Sequence, residues 1–294
     1  MAMYYLNGEL QPADRPALLP TDRGFTLGDG LFETMRAVEG RVVHLAAHLR
    51  RLADGAARLQ IPLDAASLPA VIARTLEANR LHRADATLRL TLSRGPAPRG
   101  LAPPPHPQPT LVITAAPYTP YPASLYRRGM KAILLPQRRN EFAATVSLKT
   151  LNYLEAIVGK GQAAAAGAEE GIFCNTAGFL AEACTANLFF VRSGELYTPA
   201  DACGLVPGVV RGEVLSLARE AGIPVRLGRY TPDDLRRSDE AFLTNSLMGV
   251  MPLTEVDGRK IGDGQPGRLT RTLAARYGAS VEAIRGNGDS EIGG

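Results

Sequence analysis

Lys149 is the residue whose type most directly suggests covalent chemistry. It lies in the segment 147–155 (SLKTLNYLE) and is one of only four lysines among the 33 Lys and Arg residues of a 294-residue chain. Arg stays charged, whereas a desolvated Lys can lose its proton and form a Schiff base with a carbonyl group. Leu148 and Leu151 flank the lysine and favour partial burial. A solvated lysine at a helix start, the usual fate of this residue type, fits the same pattern.

Glu182 is a second candidate, because it stands at the end of the apolar strand 179–181 and is followed by another strongly apolar strand, 187–192. A carboxylate in such a position is costly to bury unless a cation or several hydrogen-bond donors meet it. One role that satisfies this requirement is to pair with the protonated nitrogen of a heterocycle. A glutamate at an edge strand or in a turn is the alternative.

Three further stretches could bind an anion. Gly208 directly precedes the predicted helix 209–221, whose first N–H groups would face a negative charge. Ser246 lies in the polar stretch 244–249 (TNSLMG) at the end of an apolar strand, and Arg51 follows Leu49 in a predicted helix. Each pattern is also typical of an ordinary turn or of a surface arginine.

The elements that would position these residues are predicted from periodicity and from the turn residues. Hairpins occur beside strands that alternate with helices, which favours an α/β fold with α+β character and mixed sheets. A helix is predicted over 151–166, directly after Lys149. Three prolines within 117–122 indicate a connector, so the predicted division is 1–116, a linker at 117–125, and 126–294 with a disordered tail from about 286.

Composition excludes several classes of function. The chain has a net charge of +4, and its arginines are scattered, which argues against nucleic-acid binding. No apolar run is long enough for a membrane helix, and the N-terminus shows no secretory signal. Three cysteines and four histidines without ligand spacing predict free thiols, no metal site and a cytoplasmic location. The predicted partner is a small, anionic molecule.

Six stretches in matching order resemble the class IV (fold type IV) pyridoxal-phosphate enzymes, which include branched-chain aminotransferases, D-amino acid transaminases and aminodeoxychorismate lyases. The stretches are 22–34 (DRGFTLGDGLFET), 48–52 (HLRRL), 147–156 (SLKTLNYLEA), 181–190 (AEACTANLFF), 205–212 (LVPGVVRG) and 244–258 (TNSLMGVMPLTEVDG). They run through nearly the whole chain. The resemblance implies two domains with the site between them, and a homodimer in which a neighbouring subunit closes that site.

The resemblance also implies roles for individual residues. Lys149 is similar to the lysine that forms the Schiff base with pyridoxal 5′-phosphate and then moves a proton. Glu182 is similar to the glutamate that pairs with the pyridine nitrogen. The residues that match the phosphate-binding set are Arg51, Val209, Val210 and Ser246.

Within the family, the strings around Arg99 and Glu182 look most like aminodeoxychorismate lyase. Arg99-Gly100-Leu101 lacks the His of the usual transaminase Arg-Asn-His loop, and EACTANLFF and TNSLMGVMP are similar to lyase strings. The implied reaction removes pyruvate from 4-amino-4-deoxychorismate and leaves 4-aminobenzoate for folate synthesis. The expected residues are Thr34 near the reacting carbon and Arg99, Arg94 and Arg36 for the substrate carboxylates. A class IV transaminase acting on D-amino acids, branched-chain amino acids or amines remains the alternative, as does a non-catalytic homologue that binds the cofactor.

Overall fold

The structure, a computed structural model, describes residues 2–15 and 18–286. The tail predicted from about residue 286 therefore lies, beyond Gly286 itself, outside the described residues. The chain forms two compact units. The first comprises Met1–Thr119, Leu148–Asn152 and Val281–Gly294, and the second comprises Pro120–Ser147 and Tyr153–Ser280.

The first unit is built on an antiparallel sheet of six strands in the order β2-β1-β6-β5-β3-β4. In chain order its elements are β1 (Met3–Leu6), β2 (Glu9–Pro12), α1 (Arg23–Leu27), β3 (Gly30–Val38), β4 (Arg41–Val42), α2 (Leu45–Leu59), α3 (Leu68–Ala78), β5 (Ala86–Ser93) and β6 (Thr110–Pro117). The apolar side of α2 and the side chains of α3 share one hydrophobic core with this sheet.

Side chains along β3 and β5 point alternately to the two faces of the sheet, and these two faces differ. Leu88, Leu90 and Leu92 of β5 are fully buried in the core, whereas Arg89 between them is exposed. Thr34 of β3 pairs directly with Arg89, so the two residues share the face that is turned away from this core. Phe32 and Arg36 lie on the same face, because they are two residues before and after Thr34 on the same strand.

The second unit contains a mixed sheet of nine strands, with β12-β11-β10-β13-β14-β7-β8-β9 in order and β15 paired with β14. In chain order its elements are α4 (Ala123–Arg128), β7 (Met130–Arg139), α5 (Leu154–Ala165), β8 (Glu170–Asn175), β9 (Leu180–Ala183), β10 (Asn187–Arg192), β11 (Glu195–Pro199), α6 (Val209–Glu220), β12 (Val225–Gly228), α7 (Pro232–Arg236), β13 (Glu240–Asn245), β14 (Gly249–Val256) and β15 (Arg259–Lys260). Helix α8 (Arg268–Gly286) follows, and its residues from Val281 onward belong to the first unit. Parallel and antiparallel neighbours occur in the same sheet, as predicted.

The segment around Lys149 differs from its prediction in two ways. The helix predicted over 151–166 begins only at Leu154, and residues 148–152 belong to the first unit rather than to the C-terminal part of the chain. The reason is a short extended pairing with β3, in which Leu31 and Thr150 form an antiparallel bridge. Among the described residues, no helix is both long and apolar enough to cross a membrane.

Candidate active site

Lys149 is held by main-chain hydrogen bonds to β3. Its carbonyl accepts from the Phe32 N–H at 2.9 Å, and the Leu151 N–H donates to the Gly30 carbonyl at 3.0 Å. Leu148 is buried in the core of the first unit. The ammonium nitrogen Nζ of Lys149 lies 4.4 Å from the centre of the Phe32 ring, a cation–π distance. The lysine backbone is therefore fixed on both sides, and its amine lies at the face of β3 that is turned away from the core.

Arg89 and Thr34 lie on that face with Lys149, although the sequence did not single out Arg89. The guanidinium carbon of Arg89 is 3.4 Å from the centre of the Phe32 ring, and its Nη1 donates to the Thr34 hydroxyl at 3.5 Å. Because both cations contact one ring, at 3.4 Å and 4.4 Å from its centre, Lys149 Nζ and Arg89 Cζ are at most 7.8 Å apart. An amine, a hydroxyl and a guanidinium are thus gathered around Phe32. The signal in the sequence was a charged residue within the strictly alternating strand 87–93.

Arg51 lies on α2 and donates its Nε and Nη2 to the two carboxylate oxygens of Glu33, at 2.8 and 2.6 Å. The buried His48 Nδ1 lies 2.7 Å from the same carboxylate. Burial alone would raise the pKa of Glu33, but the hydrogen bonds from His48 and Arg51 and their charges outweigh it and hold the pKa below its usual value. Glu33 and His48 therefore fix the orientation of the predicted phosphate-binding arginine, and neither was expected from the sequence.

Two of the three arginines predicted to bind substrate have structural partners instead. Arg36 pairs with Asp85 at 3.2 Å and stacks on the Tyr118 ring. Arg94 is buried and donates to both oxygens of Asp29 and to the Leu59 and Gln60 carbonyls at the end of α2. The sequence gives no sign of these pairs, because each joins an arginine to a carboxylate that is distant in sequence.

Arg99, the third of these arginines, is exposed in the loop between β5 and β6. Its neighbour Leu101 is 82% exposed, although it is a large apolar side chain. Arg99 therefore stays a candidate for contact with a dissolved anion.

Glu182 is 6% exposed at the end of β9 in the second unit. Its carboxylate accepts from the Val206 N–H at 3.1 Å and from the Asn187 side chain at 3.3 Å, and Arg139 Nη2 is 3.3 Å away. Arg139 also lies over the Phe173 ring, and its buried Nε has no hydrogen-bond partner in the described part of the chain. Two of these three donors are neutral, and all three lie more than 3.0 Å from the carboxylate oxygens.

The start of α6 lies beside this carboxylate, because the Asn187 amide donates to the Val206 carbonyl at 2.9 Å as well as to Glu182. Gly208 precedes the first residue of the helix, and no side chain caps the helix there. A Cβ atom at Gly208 would lie 1.9 Å from the Asn187 side-chain oxygen, so only glycine fits. The N–H groups of Val209 and Val210 are therefore in the first turn of a helix that has no side-chain cap, a position that favours an anion.

The turn that carries Ser246 is tied to the same region. The Asn245 side chain accepts from the Leu247 and Met248 N–H groups and donates to the Thr185 carbonyl, three residues after Glu182. Thr244 pairs with Asn187 across β13 and β10, so their side chains share one face. The Thr244 hydroxyl is buried and has no hydrogen-bond partner among the described residues.

These positions define what the arrangement can do. The first unit offers an amine and a hydroxyl around an aromatic ring. The second unit offers a buried carboxylate for a protonated nitrogen, and beside it the first turn of a helix for an anion. Of the predicted site residues, the structure brings Glu182, Val209, Val210 and Ser246 together in the second unit. In the first unit it brings Lys149 to the Phe32 ring, on the same sheet face as Thr34, which Arg89 links to that ring.

The family described as amino-transferase class IV matches residues 30–256 of the chain. A Methanocaldococcus jannaschii protein with the provisional name branched-chain-amino-acid aminotransferase is 35% identical, over 93% of this chain and 94% of its own length. The crystal structure of 4-amino-4-deoxychorismate lyase from Pseudomonas aeruginosa is 32% identical, with a TM-score of 0.82 over 93% of this chain and 97% of its own. A branched-chain amino acid aminotransferase from T.th., solved with pyridoxamine 5′-phosphate, is 26% identical, with a TM-score of 0.90 over 97% and 96% of the two chains. D-alanine aminotransferases are also among the relatives.

Proposed function

Because the chain belongs to the class IV aminotransferase family, whose members use pyridoxal phosphate, we propose that it is an aminodeoxychorismate lyase. It would eliminate pyruvate from 4-amino-4-deoxychorismate and give 4-aminobenzoate. The observation that carries the proposal is the Lys149 amine at the Phe32 ring, on the sheet face that also carries the Thr34 hydroxyl, with Arg89 in contact with both the ring and that hydroxyl. An elimination needs a base for the proton that is lost and a donor beside the oxygen that leaves, and these two groups supply them.

The residues of this chain fit the cofactor. Glu182 would hold the proton of the pyridine nitrogen, because a buried carboxylate favours a cationic partner. The Val209 and Val210 N–H groups, Ser246 and Arg51 would bind the phosphate. The unpartnered Thr244 hydroxyl offers a further polar contact on the same face as Asn187. When bound, the cofactor supplies an electron sink for the electron pair of the bond that is broken.

Lys149 would bind the cofactor through its amine until the substrate amine replaces it, and would then remove the proton at C4 of the substrate. Thr34 would donate a hydrogen bond to the ether oxygen that leaves with pyruvate. Arg89 lies next to Thr34 and Arg99 lies in an exposed loop, so these two arginines are the proposed anchors for the substrate carboxylates. Arg94 and Arg36 are not proposed for this role, because Asp29 and Asp85 already pair with them.

A class IV transaminase is the second candidate. It is favoured by the relative named as a branched-chain-amino-acid aminotransferase, whose identity exceeds that of the lyase described above. A few residues around the substrate decide between elimination and amino transfer on one fold. In a transaminase, the Lys149 amine would return the proton to the cofactor instead of completing an elimination.

Pyruvate release from enzymatically made aminodeoxychorismate tests the proposal, measured with a coupled lactate dehydrogenase assay on the holoenzyme. We expect steady release without any added amino acid. A holoenzyme that releases no pyruvate, but converts its cofactor to the pyridoxamine form with D-alanine or a branched-chain amino acid alone, would be a transaminase. Lys149→Ala should abolish turnover and the visible absorbance of the lysine-bound cofactor. Lys160→Ala should keep both, because Lys160 binds Glu169 and Glu170 in the second unit.

A homodimer is part of the proposal. Leu154, Ile157 and Val158 share one side of α5, and they are 72%, 64% and 49% exposed. Such a contiguous apolar surface on a helix is typical of a subunit interface. Ile157→Arg should shift the mass measured by light scattering from dimer to monomer. Leu227→Arg, at an exposed apolar residue of β12, should leave a dimer.

The three free, buried cysteines agree with the reducing cytoplasm in which folate precursors would be made.

A further inference from the structure

Arg23 at the start of α1 is a buried arginine to which the proposed function gives no role. Only 5% of the residue is exposed. Its Nε donates to Asp29 at 2.7 Å, and its remaining nitrogens bind three consecutive carbonyls: Gly100 at 2.9 Å, Leu101 at 3.0 Å and Ala102 at 3.4 Å. A guanidinium that meets a carboxylate on one edge and three carbonyls on the others is fixed in one orientation.

The three carbonyls belong to the loop 98–107, which contains no helix or strand. Within residues 2–15 and 18–286, the Arg23 guanidinium makes the only hydrogen bonds that this loop accepts or donates. Gly100 within it has φ of +140°, which a residue with a side chain rarely adopts. A loop of this length without its own hydrogen bonds depends on such an anchor to keep one conformation.

Arg99 precedes the first of the anchored carbonyls, so the anchor determines where the Arg99 side chain begins. We propose that Arg23 is a positioning residue for carboxylate recognition, which binds the main chain of 100–102 and thereby holds Arg99 where it meets a carboxylate of the substrate. This inference rests on the proposed role of Arg99 as a substrate anchor. Arg23 itself touches no substrate in this scheme.

Arg94 provides an internal contrast, because it binds the same carboxylate but a different part of the chain. Both arginines are 5% exposed and both donate to Asp29 Oδ2, at 2.7 and 2.8 Å. Arg94 then binds the Leu59 and Gln60 carbonyls at the end of α2, whereas Arg23 binds the loop. Replacing either arginine by lysine removes the planar guanidinium with its several N–H donors but keeps the positive charge beside Asp29. A difference between the two variants therefore reports on the loop and not on the ion pair.

The test compares Arg23→Lys, Arg94→Lys and Arg99→Ala as holoenzymes with the substrate that the wild-type enzyme converts. Arg23→Lys should raise KM about tenfold and change kcat by no more than about twofold, because a misplaced anchor weakens substrate binding without changing the reacting groups. Arg94→Lys should keep the wild-type KM. In the double variant with Arg99→Ala, Arg23→Lys should add nothing to the KM of Arg99→Ala alone.

Trypsin gives a readout that does not depend on activity. Cleavage after Arg99, followed by mass spectrometry of the native protein, should be faster in Arg23→Lys than in the wild type and unchanged in Arg94→Lys. If Arg23→Lys does not fold, Gly100→Ala perturbs the same carbonyl from the loop side. Its Cβ would meet open space, but its φ of +140° is unfavourable for alanine. It should reproduce both the higher KM and the faster cleavage.

The outcomes separate this inference from the proposed function on which it rests. An unchanged KM in Arg99→Ala would show that this loop binds no substrate carboxylate, and both the anchor role and the inference would be lost. A raised KM in Arg99→Ala beside wild-type KM and cleavage in Arg23→Lys would overturn only the positioning by Arg23. Equal effects in Arg23→Lys and Arg94→Lys would also overturn it, because they would point to the shared Asp29 pair.

Discussion

Glu33 in the first unit and Glu182 in the second are both buried carboxylates on strands, but their surroundings differ. Glu33 is 0% exposed, and Arg51 and His48 lie 2.6–2.8 Å from its oxygens. Glu182 is 6% exposed, and its donors lie at 3.1–3.3 Å. Short bonds from a forked guanidinium are about twice as strong as neutral ones. The bonds from Arg51 and His48 therefore stabilise the first carboxylate more strongly than these three longer contacts stabilise the second.

The polar groups around Glu182 also differ from those around Glu33, because two of them lack a hydrogen-bond partner. Arg139 Nε and Thr244 Oγ1 are buried without a hydrogen-bond partner in the described residues. Arg139 itself pairs with Glu182, and Thr244 lies opposite Asn187, which binds Glu182. An unsatisfied buried polar group costs about 1–3 kcal/mol, so each of these two groups calls for an explanation. We infer that Glu33 stabilises the fold and the orientation of Arg51, while the Glu182 region is built to receive a polar ligand.

The substitution Glu33→Gln should have the largest effect on stability. It removes the charge that compensates the half-buried Arg51 and the buried His48, and breaking a buried pair from one side costs about 3–5 kcal/mol. Urea unfolding of the apoprotein at neutral pH should show this loss in the free energy of unfolding. Glu39→Gln, directly after β3, is the control, because Glu39 is exposed and its 3.4 Å pair with Arg285 contributes less than about 1 kcal/mol. Similar losses in both variants would remove the distinction between the two carboxylates.

The substitution Glu182→Gln should have a large effect on activity and a small effect on stability. We expect kcat to fall about a hundredfold, equivalent to about 2.7 kcal/mol, since a neutral amide cannot hold the proton of the pyridine nitrogen. The free energy of unfolding of the apoprotein should fall by much less than in Glu33→Gln, because the bonds to Glu182 are long. Steady-state kinetics and urea unfolding on the same preparations measure the two effects. Glu220→Gln, at the exposed end of α6, should change neither quantity, and a Glu182→Gln enzyme with wild-type kcat would contradict the assigned role.

The sequence predicted the site better where it depends on local patterns than where it depends on distant partners. Gly208 before a helix and the apolar strands around Glu182 were visible as short patterns, and the structure contains both. The attachment of Lys149 to β3 joins residues more than one hundred positions apart, and the pattern 147–151 is too short to distinguish a strand from a helix start. The family blocks predict the role of Lys149, but they do not show the strand that holds it.

The carboxylate partners of the arginines were not predicted, and the reason is physical. Most arginines are exposed, so Arg94 and Arg36 were interpreted as available cations. Their carboxylate partners Asp29 and Asp85 are 65 and 49 residues away, and the sequence contains no signal for such pairings. Arg23 and Asp29 are only six residues apart, but a loop with a single helical turn between them gives no periodicity to use.

The contribution of Glu33 to the free energy of unfolding should depend on pH. Its pKa is held below the usual value in the folded protein, so its contribution is complete above the unfolded pKa of about 4.3 and is lost as the pH falls through that value towards the folded pKa. The gap in unfolding free energy between the wild type and Glu33→Gln should therefore narrow below about pH 4.3, by at most about 1.4 kcal/mol per pH unit. Unfolding curves between neutral and acid pH measure this gap. A gap that widens as the pH falls would mean that the folded pKa is raised.

The substitution Thr244→Val should have the smallest effect of these variants. It tests whether the region around Glu182 binds the cofactor. The Thr244 hydroxyl is buried without a partner among the described residues, so its removal should leave the apoprotein as stable as before, or more stable by up to about 1 kcal/mol. If the hydroxyl binds the cofactor, the dissociation constant of pyridoxal phosphate should rise about fivefold, the equivalent of about 1 kcal/mol. Cofactor titration followed by absorbance measures this constant.

Thr270→Val is the matched control for Thr244→Val, because the Thr270 hydroxyl on α8 is also buried without a partner in the part of the chain that the structure describes. It should give the same change in apoprotein stability and no change in cofactor affinity. If both variants bind the cofactor like the wild type, the unsatisfied hydroxyl of Thr244 is no more than a packing compromise. The contrast between a satisfied and a receptive carboxylate would then rest on Arg139 and the distances around Glu182 alone.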